Sequence, residues 1–214
     1  KKNNHANINH IIDNEILQSG FKKKTKFNNK KKKKKKNERN VIEGNQIRDI
    51  TLQAVDNGAI MVGSRTNHTM VYGNLIRNIN RQNTGIHAYV MAGDSIDSLL
   101  VFNNVLKRES PLSNQVYGLR IDGTLHDGSR VLFNSINNIS RGFYLEDYGT
   151  SVDVTIQNNI VKTGTPYFQG AGTSGRFSVS FNCFPTTPAA PYGGATGDVI
   201  DDPEYVSPAT ESAN

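Results

Sequence analysis

The chain has 214 residues and a formal net charge of +6. This length suits a single domain, and no apolar run reaches the roughly 18 residues that a membrane-spanning helix needs. The positive charge does not indicate a nucleic-acid binder, because 13 of the 25 basic residues are lysines within residues 1–36. From residue 37 onward, 12 basic and 17 acidic residues give a net charge of −5.

One asparagine pattern recurs along the whole chain. An aliphatic residue is followed by two variable positions, the asparagine, one variable position and a second apolar residue. Successive asparagines are 31, 29, 30, 30, 24 and 24 residues apart, which indicates a stacked repeat. The apolar runs are short, often β-branched and broken by Gly and Asn, so they predict strands rather than helices. The seven asparagines are Asn14, Asn45, Asn74, Asn104, Asn134, Asn158 and Asn182.

A second strand follows the asparagine in four of the repeats, and each begins with a glycine: Gly58, Gly85, Gly118 or Gly142. Several short strands in each repeat predict a β-solenoid, whose coils bury their inner faces by stacking on one another. Equivalent asparagines would then form a ladder of hydrogen-bonded amides at one turn, where asparagine also tolerates left-handed backbone.

Residues 21–40 form an anomalous lysine-rich segment within the first coil. Its composition is typical of a disordered basic tail, yet Asn14 and Asn45 are separated by one ordinary coil length. Three interpretations stay open: a solvated loop, a basic patch for an anionic polymer, or lysines that stand in place of the true sequence. We predict coils over residues 1–185 and an irregular Pro/Gly-rich segment over residues 186–214.

The repeat resembles the right-handed parallel β-helix of pectate-lyase-like proteins over about residues 10–185. The ending GDVIDDPEYVSPAT is similar to the tail that often closes secreted β-helix proteins. The resemblance implies an all-β, right-handed parallel β-helix of about seven coils, belonging to a secreted or cell-surface protein. We expect the piece to come from a longer helix, with missing coils or self-association at its open N-terminal end.

Side chains alternate between the two faces of a strand, and this divides the glycine strands into two sets. The apolar set, predicted to face the core, is Ala59, Met61, Ile86, Ala88, Leu119, Ile121, Phe143 and Leu145. Three successive coils present six polar or aromatic side chains outward, in rows roughly 4.8 Å apart. We call them the outer patch: His87, Tyr89, Arg120, Asp122, Tyr144 and Glu146.

The outer patch and its flanking loops predict a site for an acidic polysaccharide. In pectate-lyase-like enzymes the corresponding strand resembles the first parallel sheet, whose outer face holds the active site. Arg120 could pair with a uronate carboxylate, and His87, Tyr89 or Tyr144 could act as base and acid. The sequence therefore predicts a polysaccharide lyase, a C5-epimerase or a glycoside hydrolase. The substrate-binding candidates of the flanking loops are Asp94, His126, Asp127 and Asp147.

Other roles for the patch also stay open. Asp122 with Glu146 or Asp147 could be the paired carboxylates of a glycosidase or could collect Ca²⁺, although the sequence assigns no metal ligand. Alternatively, the chain is a non-catalytic glycan-binding or structural surface β-helix, such as an adhesin or tailspike segment. The outward polar residues would then only solubilise the sheet. We expect neither nucleic acid nor a membrane as partner.

Overall fold

The computed structural model describes residues 39–48, 58–79, 84–91, 93–108, 116–126, 128–146, 154–169, 177–187 and 197–201. It adds the backbone of residues 8–12 and 15–17, and it describes residues 163–169 by backbone alone. Most of the lysine-rich segment, together with Asn14, Asp127 and Asp147, lies outside these residues.

The strands that precede the asparagine turn form a seven-stranded parallel sheet, which we call sheet A. Each of them pairs in register with the equivalent strand of the next coil, as in the pairing of Val71, Val101 and Val131. In order across the sheet, the strands are Ile8–Ile12, Arg39–Glu43, Thr69–Tyr72, Leu100–Phe102, Arg130–Leu132, Val154–Gln157 and Phe177–Ser180.

The remaining strands form sheet B, which is eleven-stranded and also parallel, and the small sheet C, which is two-stranded. Sheet B contains the post-ladder strands Glu15–Leu17, Gln46–Arg48, Leu75–Arg77 and Val105–Lys107. It contains the glycine strands Gly58–Gly63, Thr84–Tyr89 and Tyr117–Asp122, and the long strands Ser135–Glu146 and Ile160–Gln169, which extend from the ladder into the glycine region. Its last members are Cys183–Phe184 and Val199–Ile200, and sheet C pairs Ile96–Asp97 with Leu125–His126.

The predicted fold class is confirmed: the chain is an all-β parallel solenoid. About three turns of it are complete among the described residues, fewer than the seven coils that the sequence predicts. No helix occurs in the described ranges, and accordingly none there is long and apolar enough to cross a membrane.

Aliphatic side chains stacked along the solenoid axis fill the interior. Ile76, Leu106 and Ile136 are fully buried on sheet B, opposite Val71 and Ile156 of sheet A. Burying such a side chain contributes about 1.5–3 kcal/mol. Each coil therefore gains its stability from the two coils on either side of it, as expected for a stacked repeat.

The asparagine ladder is present, with one correction. Each ladder amide nitrogen donates to the side-chain oxygen of the next ladder asparagine, for example from Asn104 to Asn134 at 3.0 Å. The following member is Asn159, to which Asn134 donates at 3.0 Å. The prediction of Asn158 is wrong, because Asn158 adopts left-handed backbone with φ of 56° and so forms the turn itself.

The residue before each ladder position has positive φ throughout the described coils. This conformation turns the chain sharply between sheet A and sheet B, and glycine adopts it without steric cost. Asparagine and even phenylalanine also occur here, so the ladder hydrogen bonds hold residues in a conformation that they rarely adopt alone. The turn residues are Gly44, Gly73, Asn103, Phe133, Asn158, Phe181 and Gly197.

A further rung follows the last ladder asparagine and closes the described part of the solenoid. Val199 and Ile200 pair with Cys183 and Phe184. Asp198 occupies the ladder position of this rung, where its Oδ1 accepts a hydrogen bond from the backbone N–H of Asn182 at 2.8 Å. The ladder therefore ends on a carboxyl group instead of an amide.

The first glycine strand has a different register from the one predicted. Gly58 pairs with Thr84, and Ile60 pairs with Ile86, so Ala59 takes the place that Gly85 has in the next coil. Ile60 and Val62 consequently face the core, and Met61 is 45% exposed. The inward placement of Met61 is wrong, and Ala59 is only partly buried against the core.

Candidate functional site

The three central glycine strands present the outer patch in the predicted register. His87 pairs with Arg120, and Arg120 pairs with Tyr144. Tyr89, Asp122 and Glu146 form the second row in the same way. The residues between the rows, including Ala88, Ile121 and Leu145, are buried in the core, so alternation along the strand places the patch on the outer face.

A bend at the glycine adds a tyrosine to the patch that sequence analysis missed. A Cβ on Gly118 would lie 2.7 Å from the Ile136 side chain, so this position faces the core, as does the next residue, Leu119. Two successive inward positions break the alternation. Tyr117 therefore lies on the same side as Arg120, whose guanidinium carbon is 5.6 Å from the Tyr117 ring centroid.

Three patch residues form a buried, charge-assisted cluster. Asp122 Oδ2 lies 3.0 Å from His87 Nε2 and 2.7 Å from Arg120 Nη2. Asp122 Oδ1 accepts a second hydrogen bond, at 2.9 Å, from Arg120 Nε. The side chains of His87 and Asp122 are only 1% and 2% exposed, whereas that of Arg120 is 13% exposed. Asp122 thus fixes the guanidinium in a bidentate geometry.

The hydrogen bonds to Asp122 determine its charge. Burial raises the pKa of Asp122, but the hydrogen bonds from His87 and Arg120 outweigh burial, so the pKa lies below its usual value. An ionised carboxylate only accepts hydrogen bonds, so a neutral His87 carries its proton on Nε2. The other ring nitrogen, Nδ1, is buried without a hydrogen-bond partner in the described structure.

Aromatic rings surround the guanidinium of Arg120. Its guanidinium carbon is 4.8 Å from the Tyr144 centroid, and the Tyr117 and Tyr144 rings meet edge to face at 5.0 Å. Arg141 donates a hydrogen bond to the Tyr117 hydroxyl at 2.8 Å. Cation–π contacts of this kind contribute about 0.5–2 kcal/mol each, so the rings and Asp122 together hold Arg120 in one position.

The half-buried end of the patch contains a tyrosine–carboxylate pair. The Tyr144 hydroxyl donates to Glu146 Oε2 at 2.6 Å. Burial, the largest cause, and the hydrogen bond to Glu146 raise the pKa of Tyr144 far above its ordinary value. The phenol therefore stays protonated at physiological pH and serves as a hydrogen-bond donor.

The opposite edge of the patch is exposed and apolar. Tyr89 is 43% exposed, and its ring meets the His87 ring edge to face at 5.7 Å. Met61, on the neighbouring strand, pairs with His87 in the sheet register, and Met91 follows Tyr89 by two residues at 55% exposure. Exposed apolar surface rimmed by polar groups is typical of interaction sites.

Two predicted substrate-binding residues lie at sheet C. Asp94 accepts a hydrogen bond from Arg65 Nε at 2.8 Å. His126 Nδ1 lies 3.7 Å from Asp97 Oδ1. The structure thus ties Asp94 and His126 to the turn beyond the glycine strands. Among the described residues, no group of three or more His, Cys, Asp or Glu side chains is arranged to hold a metal ion.

Comparison of this chain with protein-family models, with curated proteins and with solved structures finds no match. The site must therefore be interpreted from its own geometry. That geometry is a bidentate-held guanidinium between two tyrosine rings, with a protonated phenol and a carboxylate on one side and an exposed apolar edge on the other.

Proposed function

We propose that this chain binds a polysaccharide on the outer face of its glycine strands. The observation that supports the proposal most is the Arg120 guanidinium held between the Tyr117 and Tyr144 rings, next to the 43% exposed Tyr89. Ligand sites combine apolar and aromatic surface with a few fixed polar groups. A sugar ring matches this combination, because it presents C–H groups on its faces and hydroxyls around its edge.

The repeat supports a linear ligand. Equivalent positions recur along the solenoid axis at one strand spacing, roughly 4.8 Å, and solenoids present extended binding surfaces in this way. A polymer crossing several strands would meet Tyr89 on one side of the patch and Glu146 on the other. A secreted or cell-surface location belongs to the same proposal.

The buried residues of the patch fit a positioning role. His87 and Asp122 have almost no exposed surface, and Asp122 contacts both His87 and Arg120. A catalytic base must come within hydrogen-bond reach of the proton it removes, which this burial opposes. Asp122 instead orients the Arg120 guanidinium on the outer face of the sheet, where its charge would attract an acidic ligand.

Cleavage of the bound polymer is a second candidate function, favoured by the Tyr144–Glu146 pair. Both side chains are half-buried, and the phenol is held protonated beside a carboxylate. A protonated donor next to a carboxylate is the combination that general acid–base catalysis uses. In this function the leaving oxygen would displace Glu146 from the Tyr144 hydroxyl and take its proton, and the base that activates water on the opposite face of the sugar would have to lie outside this pair.

Binding and cleavage can be measured on one panel of polymers. We would measure affinity for a polyuronate and for a neutral glucan of equal length, with and without Ca²⁺, using wild type and Tyr89→Ala. Losing an exposed aromatic contact costs about 1.4 kcal/mol or more, so we expect at least a tenfold weaker binding. Phe133→Ala is the matched control, because Phe133 is 57% exposed at the ladder turn, outside the patch.

Two results would overturn the binding proposal: no affinity of the wild-type protein for any polymer of the panel, or equal weakening by Tyr89→Ala and Phe133→Ala. Cleavage is tested separately by following new reducing ends and unsaturated uronates. A hydrolase would release only reducing ends, and Tyr144→Phe should abolish them. Continued cleavage by Tyr144→Phe would exclude the acid role of Tyr144.

A further inference from the structure

A column of basic residues runs along the solenoid on the post-ladder strands, outside the outer patch. The third residue of each of these strands pairs in register with the third residue of the next one. Four of five successive positions carry a positive charge. We call them the basic column: Arg48, Arg77, Lys107, Asn137 and Lys162.

Alternation places the basic column on the outside of sheet B. The middle residues of the same strands, such as Ile47, Ile76 and Leu106, are 4%, 0% and 0% exposed and belong to the core. Their neighbours on both sides therefore face outward. Arg48 is exposed, and Arg77, Lys107 and Lys162 are half-buried. Arg48, Arg77 and Lys107 stand on successive strands, roughly 4.8 Å apart, whereas Asn137 separates Lys107 from Lys162 by one further strand.

The neighbouring column contains no charge at all. It consists of the first residues of the same strands, of which Val105 is 39% and Ile160 42% exposed. None of the ten positions in the two columns carries a carboxylate, so the columns themselves supply no countercharge to Arg77 and Lys107. The uncharged column comprises Gln46, Leu75, Val105, Ser135 and Ile160.

The central cations also lack ion pairs. Within the described ranges neither Arg77 nor Lys107 pairs with a carboxylate, whereas Arg65 and Arg120 each bind an aspartate. The Nε of Arg77 is buried without a hydrogen-bond partner. Like charges that face each other across a sheet are destabilising. A ligand with regularly spaced negative charges would relieve this repulsion.

We propose that the basic column binds an acidic polysaccharide that runs along the solenoid axis. Carboxylate or sulfate groups of the polymer would pair with Arg48, Arg77, Lys107 and Lys162, and the C–H faces of its sugars would pack on the aliphatic column. This site goes beyond the proposed function, because it lies on the strands before the glycine bend and uses none of the patch residues.

The composition of the face favours a polysaccharide over a nucleic acid. Proteins that bind single-stranded nucleic acid combine positive charge with aromatic platforms for the bases. The basic column is flanked by Leu75, Val105 and Ile160, and no aromatic residue stands in either column. The net charge of −5 from residue 37 onward also provides no general field to attract a nucleic acid.

The test compares Arg77→Gln/Lys107→Gln with Arg39→Gln/Arg130→Gln. The control pair removes the same charge from two exposed residues of sheet A. The probes are a polyuronate oligomer, a neutral glucan and a single-stranded DNA of similar length. We expect the column variant to bind the polyuronate at least tenfold more weakly, with a salt dependence reduced by about one to two in log–log slope. The control variant should bind like wild type.

Stability provides a second readout. Removing two facing cations should leave the melting temperature unchanged or slightly higher, because repulsion is lost. A lower melting temperature together with weaker binding would indicate a structural role and overturn the proposal. Equal weakening by the control pair, or tighter binding of DNA than of polyuronate, would overturn it as well. Tyr89→Ala distinguishes the two sites. If Tyr89→Ala weakens polyuronate binding and Arg77→Gln/Lys107→Gln does not, the polymer binds at the outer patch, and the basic column is not a binding site.

Discussion

Replacing Asp198 by asparagine should complete the ladder and stabilise the protein at neutral pH. The Oδ2 of Asp198 is buried without a hydrogen-bond partner. In the rung above, the equivalent amide nitrogen of Asn182 donates to the carbonyl oxygens of Ile156 and Ser180 at 3.0 Å each. A carboxylate oxygen only accepts hydrogen bonds, whereas an amide nitrogen donates two. The substitution therefore supplies the donor that this position lacks.

The magnitude follows from the missing hydrogen bonds and from the titration of Asp198. One or two net hydrogen bonds at about 0.5–1.5 kcal/mol each give an expected gain of about 1–2 kcal/mol at pH 7.5. Burial raises the pKa of Asp198, although its hydrogen bonds from Asn182 act in the opposite direction. The contribution of Asp198 to the free energy of unfolding of wild type is therefore fully present below the unfolded pKa of about 3.9. It is lost as pH rises through the folded pKa.

Urea denaturation followed by circular dichroism at about pH 7.5 and pH 4 measures both effects. Protonated Asp198 carries an O–H where asparagine carries an N–H, so the advantage of Asp198→Asn should shrink in acid. Asp201→Asn is the control, since it removes the same charge from an exposed residue of the same rung. The reasoning is refuted if the gain is equal at both pH values, or if Asp198→Asn is less stable than wild type at pH 7.5.

Two further substitutions test the ladder and the patch by urea denaturation. Asn104→Ala should lose about 3–5 kcal/mol, because buried groups including the Asn74 N–H lose their partner at about 1–3 kcal/mol each. The control is Asn103→Gly, because Asn103 is an exposed turn residue with φ of 53° and glycine adopts that backbone without steric cost. The control should lose less than about 1 kcal/mol, and equal losses would contradict the ladder's role. Asp122→Asn should lose about 3 kcal/mol by unpairing Arg120. Because the pKa of Asp122 is lowered, this stabilisation is present above about pH 3.9 and is lost as pH falls through the folded pKa. The difference in free energy of unfolding between wild type and Asp122→Asn should therefore become smaller in acid. A difference that stays constant would contradict the ion pair.

The fold was predictable because the ladder imposes a strict spacing on apolar residues and asparagine. The prediction failed at one position, where two neighbouring asparagines, Asn158 and Asn159, both fit the spacing of the repeat. Asn159 has Ile156 three residues before it and Val161 two residues after it, whereas Asn158 has Thr155 at the first of these positions. The aliphatic rule alone favoured Asn159. Choosing the first asparagine shifted the register by one residue.

The end of the ladder was missed for a chemical reason. Residues 197–200 read Gly-Asp-Val-Ile, which matches Gly-Asn-Leu-Ile at residues 73–76 except for the ladder residue and the exchange of one aliphatic residue, Leu75, for another, Val199. A search restricted to asparagine excludes this rung, although an aspartate offers the same accepting oxygen. Hydrogen-bond roles therefore define the repeat better than residue identity.

The outer patch was predictable in register but not in exposure. Alternation correctly placed His87, Arg120 and Tyr144 side by side. It did not show that His87 would be almost fully buried, because burial depends on packing beyond the strand. It also failed to include Tyr117, because two successive residues face inward at the Gly118 bend. Strict alternation fails wherever a glycine lets the backbone turn toward the core.

The ladder also gives the solenoid a direction. Every ladder amide nitrogen from Asn45 to Asn159 donates to its C-terminal neighbour, and every ladder oxygen from Asn74 to Asn182 accepts from its N-terminal neighbour. The aligned amides add up to a dipole whose positive end meets the Asp198 carboxyl, much as an anion stabilises the N-terminus of a helix. Ionised Asp198, however, only accepts hydrogen bonds, so it cannot donate to a further rung. The carboxylate therefore stops the ladder in the direction in which its amides donate, whereas an asparagine at this position would allow another coil to continue it.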